Sequence, residues 1–398
     1  VLAELRESIA DPTFIQSLAR ELLVDNPHRV RLTLRPEPAL STRREKNEAA
    51  QLAAIKAQLS DAEKQDIISQ TTALNARQMQ ADDEGLLPKV GLEDISPEMA
   101  YVGATRKTDG ALPLTQYEVG TNGLVYQQLL VSLPALSDEQ VDLLPLYASC
   151  LTELGVGDKD YLATQLWQSQ VCGSINTHAS VRCEVDNLQS LSGHLVISAK
   201  GLANNQKALS ELMNTTFESV RFEELPRLRE LIAQIRARRE SSVTGNGHIL
   251  AMTAAASNAS PGAWLSHRWG GMEGIRLIKQ LDSSLDEQAE LASFAAKLTE
   301  LHALFLQAPR QALVVGEQEH MSQFATDFLG ALAPGDGSTF TPFSRPELCT
   351  PSQQLWVAST QVNFCAHAYP TVPMGHPDAA PLSVLGGFLR NGHLHRAI

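Results

Sequence analysis

The sequence predicts an α+β fold, in which antiparallel sheets are covered by helices in repeated modules and are preceded by an antiparallel helical hairpin. Residues 41–80 contain neither glycine nor proline and carry two helix-start signals. From about residue 99 onward, apolar strand-like segments alternate with amphipathic helical ones. The 398 residues are 43% hydrophobic and 19% charged, which is typical of globular domains and excludes a wholly disordered chain.

The first 36 residues have the pattern of a helix followed by a strand. Apolar residues recur at helical spacing in 13–24 (TFIQSLARELLV), and they alternate with polar ones in 29–34 (RVRLTL). We therefore interpret residues 1–36 as the tail of an αβ domain. The chain begins with Val1 and stops at Ile398 within a helical pattern, so we expect it to be a piece of a longer protein.

The second segment, residues 41–85, is predicted to be a helical hairpin. Thr42 with Glu45 and Ser60 with Glu63 both have capping-box spacing, which predicts two helices that reverse near Ser60. We interpret the hairpin as a linker between domains, and the alternative is a coiled coil that binds a partner. The apolar residues expected along its seam are Leu52, Ile55, Leu59, Ile67, Ile68 and Leu74.

The third segment, residues 99–320, is predicted to be an αβ domain with an antiparallel sheet. The residues after 320 repeat its order weakly, with strands in 355–369, a proline-rich turn and a helix from Ala379. This second copy is interpreted as truncated. The predicted strands of the third segment are 123–133, 173–185, 193–199 and 311–315, and its predicted helices are 137–154, 204–220, 222–243 and 284–307.

Charge and composition exclude several kinds of partner. The net charge of −13 argues against a nucleic-acid-binding protein. No apolar run approaches the roughly 18 residues that cross a bilayer, so we expect no membrane association. The five cysteines form no CxxC pair, and the first residues do not resemble a signal peptide. A soluble protein of a reducing compartment is predicted, with the cytoplasm favoured.

No complete catalytic or metal-binding motif is present. The eleven histidines form neither HExxH nor HxxEH, and there is no P-loop or nucleophile elbow. His393 and His395 are too close in sequence to chelate one ion from a helix. Cys150 and Cys172 lie in apolar stretches and are expected to be core thiols. The basic cluster 236–239 is interpreted as a solvated helix face, or as a wall that attracts acidic peptides.

Four long stretches carry a family resemblance. Residues 41–398 resemble the pitrilysin/insulinase-type zinc metallopeptidases, specifically the presequence-protease branch. That family has two bowl-shaped halves, each built from two related αβ domains, joined by a helical hairpin around a peptide-degrading chamber. The stretches are 121–139 (TNGLVYQQLLVSLPALSDE), 193–213, 222–251 and 260–281 (SPGAWLSHRWGGMEGIRLIKQL).

The resemblance implies a domain assignment in repeated metallopeptidase-like modules. Residues 1–36 would end the second domain, 41–85 would be the hairpin, 99–320 the non-catalytic third domain, and 321–398 the truncated start of the fourth. The family's zinc would belong to a catalytic half that lies upstream in the parent protein. Its substrate-binding Arg and Tyr would follow residue 398. No zinc is therefore expected in this chain.

The same resemblance gives the candidate site residues. The positions that align with the family's inverted zinc motif are Leu146, Ser149 and Cys150, none of which forms a zinc site, and so no catalytic residue is expected here. Asn391 and His393 are predicted to line the substrate chamber.

The resulting hypothesis is a non-catalytic chamber half of a peptidase that degrades short unstructured peptides, with those peptides and the catalytic half as partners. One alternative is a catalytically dead scaffold or core subunit of the same fold family. Another is an independent helical-hairpin interaction protein.

Overall fold

The computed structural model describes residues 2–80, 83–108, 112–335, 340–360, 362–394 and 397. The chain divides into two compact units, residues 1–99 and 100–398. Each unit has its own secondary structure and is described by itself.

The first unit is helical. Residues 29–34, all of them described, form no strand, and the side chains of Val30, Leu32 and Leu34 are exposed. The strand predicted there is wrong because an isolated strand has no neighbour with which to pair its backbone. The helices are α1 (Leu2–Ile9), α2 (Phe14–Ala19), which continues into a π-helical turn (Arg20–Val24), α3 (Leu40–Gln58) and α4 (Asp61–Met79), followed by 3₁₀ turns at Glu84–Leu86 and Leu92–Asp94.

Helices α3 and α4 form the predicted hairpin. The Glu63 amide donates to Ser60 Oγ at 3.3 Å and the Ser60 amide donates to Glu63 Oε2 at 2.8 Å, so this capping box is confirmed. The box predicted at Thr42 is wrong, because no helix-breaking residue lies between Pro38 and Thr42 and α3 extends back to Leu40. Most of the predicted seam residues are about half exposed within this unit.

The second unit contains a six-stranded sheet that is antiparallel except for one parallel pair. The strand order is β1-β2-β6-β3-β5-β4, with β2 and β6 parallel. The predicted fold class is confirmed, and β1 and β2 were not predicted. The strands are β1 (Ala104–Lys107), β2 (Leu114–Glu118), β3 (Leu124–Ser132), β4 (Ser174–Cys183), β5 (Leu191–Leu202) and β6 (Arg310–Gly316).

The helices of this unit include every one predicted between residues 137 and 307. Helices α6, α9 and α10 were not predicted, and α8 runs past its predicted end with a kink at Asn246. They are α5 (Asp138–Leu151), α6 (Tyr161–Val171), α7 (Gln206–Glu218), α8 (Leu225–Ala256), α9 (Pro261–Gly270), α10 (Met272–Ser284), α11 (Gln288–Gln307), α12 (Gln318–Ala331) and α13 (Ala379–Phe388).

The core lies where helices pack on the sheet. Alternate residues of β3 are fully buried, because successive side chains of a strand point to opposite faces. Burying each large apolar side chain contributes roughly 1.5–3 kcal/mol. The fully buried residues that join sheet and helices include Val125, Leu129, Val131, Leu144, Tyr147, Leu151, Leu228, Ile232, Leu298, Leu301 and Phe305.

Residues after 316 depart from the sequence prediction. Helix α12 begins before the predicted domain boundary at residue 321, and its Met321, Phe324 and Phe328 belong to the core just described. The strands predicted in 355–369 are wrong: no strand forms in the described part of this range. This part of the chain is instead held by scattered backbone bonds, such as Gly375 N to Val185 O at 2.9 Å, because no strand lies beside it to form a ladder.

A buried tyrosine–histidine pair lies in this core. Tyr147 Oη and His302 Nδ1 share a hydrogen bond of 2.9 Å, and the His302 side chain is almost fully buried. Burial, together with the positive charge of Arg310, lowers the pKa of His302 to about 4. The imidazole is therefore neutral in the folded protein at neutral pH.

We expect acid to destabilise the second unit through His302. The unfolded chain protonates near pH 6.5 and the folded one near 4, so this contribution is complete above pH 6.5 and is lost as the pH falls toward 4. The loss amounts to about 3 kcal/mol. Urea unfolding followed by tryptophan fluorescence between pH 5 and about 7 measures it, since all four tryptophans lie in this unit.

His302→Phe should flatten this pH dependence, whereas His320→Gln, which changes an exposed histidine, should keep it. An equal slope in His302→Phe and the unmodified chain would contradict the assignment.

Candidate functional site

Helix α5 carries the three positions that the sequence aligns with a zinc motif. Its start is fixed by Ser137, whose Oγ accepts a hydrogen bond from the Gln140 amide at 3.3 Å. Asp138 and Glu139 follow in the first turn, where carboxylates interact favourably with the positive end of the helix. The predicted start is confirmed, and it determines which residues of α5 face the core.

Two of the three motif positions face inward and one faces solvent. Leu146 is buried and Cys150 is fully buried in the core, whereas Ser149 is exposed. The Ser149 hydroxyl donates to the Pro145 carbonyl at 2.8 Å within the same helix. The three side chains thus lie on one helix but do not converge on a common point of chemistry.

These residues do not fit a zinc ion. Burial raises the pKa of the Cys150 thiol to about 12, and the negative charge of Glu153 adds to this effect. A zinc-binding cysteine must be a thiolate, and the aliphatic Leu146 and the hydroxyl of Ser149 do not supply the ligands that a zinc site needs. The helix keeps its place in the fold without metal-binding chemistry.

The predicted chamber residues lie after α13. Asn391 and His393 are exposed on a π-helical turn (Leu389–Leu394), and Asn391 Oδ1 accepts from Arg390 Nε at 3.3 Å. Their role in lining a chamber stays a prediction. His395, which the sequence analysis considered with His393, lies outside the described residues.

Another group of possible metal ligands escaped the sequence analysis. Glu317, Glu319 and His320 bring three ligand atoms within 4.8 Å of one another at the start of α12. Their signal in the sequence is the short spacing ExEH. Glu319 and His320 are exposed, and such acidic surface groups are common without an ion. No metal site is assigned to them.

The basic cluster on α8 divides between three environments. Arg236 donates to Asp282 Oδ2 at 2.6 Å, and Arg238 is exposed. Arg239 is half-buried, and Gly274 O, 3.5 Å from its Nη1, is its hydrogen-bond acceptor among the described residues. The interpretation of a solvated face holds for Arg238 but not for Arg239.

Strand β4 forms one edge of the sheet and offers unpaired backbone groups. It pairs with β5 on one side, and no described strand pairs with its other side. The Glu184 amide donates to Ser190 O at 3.0 Å just beyond the strand, in register with it. Because antiparallel ladders alternate, the odd-numbered amides of β4 then point away from β5. Such an edge can accept an extended chain as a further strand.

Residues 34–281, more than half of the chain, match the family of segments associated with the subfamily C peptidases of family M16. The chain belongs to this family. The resemblance to presequence proteases is also confirmed by curated relatives. The "Presequence protease, mitochondrial" of Yarrowia lipolytica is 29% identical over 397 residues, which cover 98% of this chain and 39% of that protein.

A second relative gives the same picture of this peptidase-associated chain. The "Presequence protease, mitochondrial" of Danio rerio is 23% identical over 414 residues, covering 98% of this chain and 40% of that protein. The chain thus spans about two fifths of the length of these relatives. Among solved structures, a peptidase M16 inactive domain from Pseudomonas fluorescens is similar, with 13% identity, a TM-score of 0.39, and coverage of 61% of this chain and 54% of that one.

Within the described parts of the chain, no helix combines the length and the apolar character that crossing a membrane requires.

A negative charge at Cys150 should unfold the second unit, while the same charge one residue earlier should be tolerated. Cys150→Asp places an unpaired carboxylate in the core and should cost about 3 to 5 kcal/mol. Ser149→Asp is the matched control, since its side chain is exposed and its cost should stay below about 1 kcal/mol. Urea unfolding of the two variants measures the difference. Similar stability of both would mean that this face of α5 is not buried.

The purified 398-residue chain should retain no stoichiometric zinc, because the three motif positions of α5 lack a ligand set. Elemental analysis after dialysis against metal-free buffer tests this expectation. A control sample incubated with excess zinc and then dialysed should give the same result. One tightly held zinc per chain would contradict it, and Glu317→Gln would then show whether the ExEH group holds the ion.

Proposed function

We propose that this chain forms the non-catalytic half of a peptide-degrading chamber in an M16-type zinc metallopeptidase. The proposal rests on one observation above all: the chain aligns along 98% of its length with a presequence protease, yet the helix that occupies the zinc-motif position has Leu146, Ser149 and a protonated Cys150. The catalytic half would come from the part of the parent protein that this chain does not cover.

The proposed domain assignment keeps the predicted boundaries. Residues 1–36 would belong to the second domain, 41–85 to the linking hairpin, 99–320 to the third domain and 321–398 to the fourth. The described core supports the αβ character of the third segment. Because α12 packs on the same core, this helix would serve the third domain as well as lead into the fourth.

In this proposal, the chain's contribution is to hold substrate rather than to cleave it. An extended peptide would pair its backbone with the outer edge of β4, which recognises a chain without reading its side chains. The zinc of the catalytic half would supply the activated water for hydrolysis. The net charge of −13 would favour peptides of positive charge at moderate ionic strength.

The compartment remains a prediction. All five cysteines lie among the described residues and are unpaired, which fits a reducing environment. The curated relatives are named as mitochondrial proteins. The cytoplasmic location favoured by the sequence is therefore carried forward without support from these names.

The chain alone should bind an unstructured basic peptide and leave it intact. Fluorescence anisotropy of a labelled peptide measures binding, and mass spectrometry of the mixture with added zinc measures cleavage. Thr177→Pro removes an amide that points away from β5 and should weaken binding about tenfold, which corresponds to about 1.4 kcal/mol. Thr177→Val, which keeps that amide and the shape of the side chain, is the matched control.

Three outcomes would count against the proposal. Cleavage that a chelator stops would show that the chain has its own active site. Absence of peptide binding would favour the scaffold alternative. Equal binding by the Thr177→Pro and Thr177→Val variants, both folded by circular dichroism, would exclude the β4 edge.

A further inference from the structure

A cavity of about 130 Å³ lies between helices α5, α8, α9 and α10. Its walls are mainly apolar, with Leu146 and Ile278 buried and Leu277 and Leu281 half-buried. An apolar cavity of about 150 Å³ accommodates a benzene-sized molecule, so this one has room for a group of about six carbon-sized atoms. The space therefore fits one small aliphatic or aromatic group.

The same cavity carries more positive than negative charge. Its three charged lining residues are Asp142, Arg239 and Arg268. Asp142 and Arg268 neutralise each other, because Arg268 Nε and Nη2 both donate to the Asp142 carboxylate, the latter at 2.6 Å. The charge of Arg239 is left over, which gives the cavity wall an excess of one positive charge.

Arg239 differs from the other arginines around it. Arg229 and Arg236 each donate to Asp282 at 2.6 Å. Among the described residues, Arg239 has no carboxylate partner, and its contact with Gly274 O is at the outer limit of a hydrogen bond. Removal from water also lowers the pKa of Arg239, which shows that its surroundings do not compensate the charge.

We propose that this cavity binds a small aliphatic carboxylate, with the carboxylate on the Arg239 guanidinium and the aliphatic group against Leu277 and Leu281. A guanidinium binds a carboxylate through two parallel hydrogen bonds, and this pairing would satisfy the donors that the protein leaves without a partner. The ligand class includes free branched-chain acids and the C-terminal residue of a peptide that ends in leucine. This site uses residues other than the β4 edge and does not depend on the proposed function.

Three probes test the chemistry of the site. N-acetyl-leucine and 4-methylpentanoate both present a branched chain and a carboxylate, and N-acetyl-leucinamide replaces the carboxylate by a neutral amide. Trp269 lies on the cavity wall, so its fluorescence reports binding, and calorimetry confirms the stoichiometry. At least one of the acids should bind one per chain, and at least about tenfold more tightly than the amide, as loss of a charged pair implies.

The variants separate the site from general binding. Arg239→Gln should abolish the preference for acid over amide, whereas Arg238→Gln, which changes the exposed neighbour on the same helix, should keep it. Leu277→Trp should fill the apolar part of the cavity and weaken binding of the preferred acid about tenfold or more. Thermal unfolding establishes that each variant is folded before binding is measured.

The outcomes are distinct. Binding of 4-methylpentanoate alone identifies a free acid as the ligand, and binding of N-acetyl-leucine, retained by a tetrapeptide that ends in leucine, identifies a peptide terminus. Equal binding of acid and amide, or an unchanged preference in Arg239→Gln, would overturn the proposal, as would absence of binding by both acids. None of these results alters peptide binding at the β4 edge, which Thr177→Pro measures separately.

Discussion

The packing of α5 against the central strands constrains the chemistry of the second unit. Val141, Leu144, Tyr147 and Leu151 are fully buried between the helix and the sheet. This contact determines the rotation of the helix about its axis, so Cys150 must lie inside and Ser149 outside. A helix that is anchored in this way has no freedom to present three ligands to one ion. The loss of metal-binding chemistry and the retention of the fold thus have the same origin.

The core also encloses polar groups, and each requires a nearby partner. Tyr147 and His302 bond to each other among aromatic rings, with Phe305 stacked on Tyr147 at a centroid distance of 5.2 Å. Arg310 is almost completely buried, and it donates to Glu218 at 2.5 Å and to the carbonyls of Leu306 and Ala333. A buried cation is tolerated here because a carboxylate and two carbonyl oxygens surround it.

The three arginines of α8 near α10 show how a helix pair distributes charge. Asp282 on α10 is buried, which would raise its pKa, but hydrogen bonds from Arg236 and Arg229 hold the pKa below its usual value. These two arginines use the available carboxylate, and Arg239, one turn further toward the cavity, receives none. The unpaired charge is therefore a consequence of helix geometry, because residues three and four apart share a face while the acidic partner reaches only part of it.

The sequence by itself determined the local elements whose signals are local. The Ser60 and Ser137 caps, the hairpin, and the paired strands β4 and β5 follow from spacing that neighbouring residues establish among themselves. The motif positions on α5 could also be read from the sequence, since aliphatic and hydroxyl groups are poor zinc ligands in any fold. Only the tertiary structure decided the rest. Residues 355–369 have strand-like composition but no neighbouring strand, and Arg239 differs from Arg238 only through what α10 and α5 place beside it. Both depend on contacts between residues distant in sequence, which local patterns do not encode.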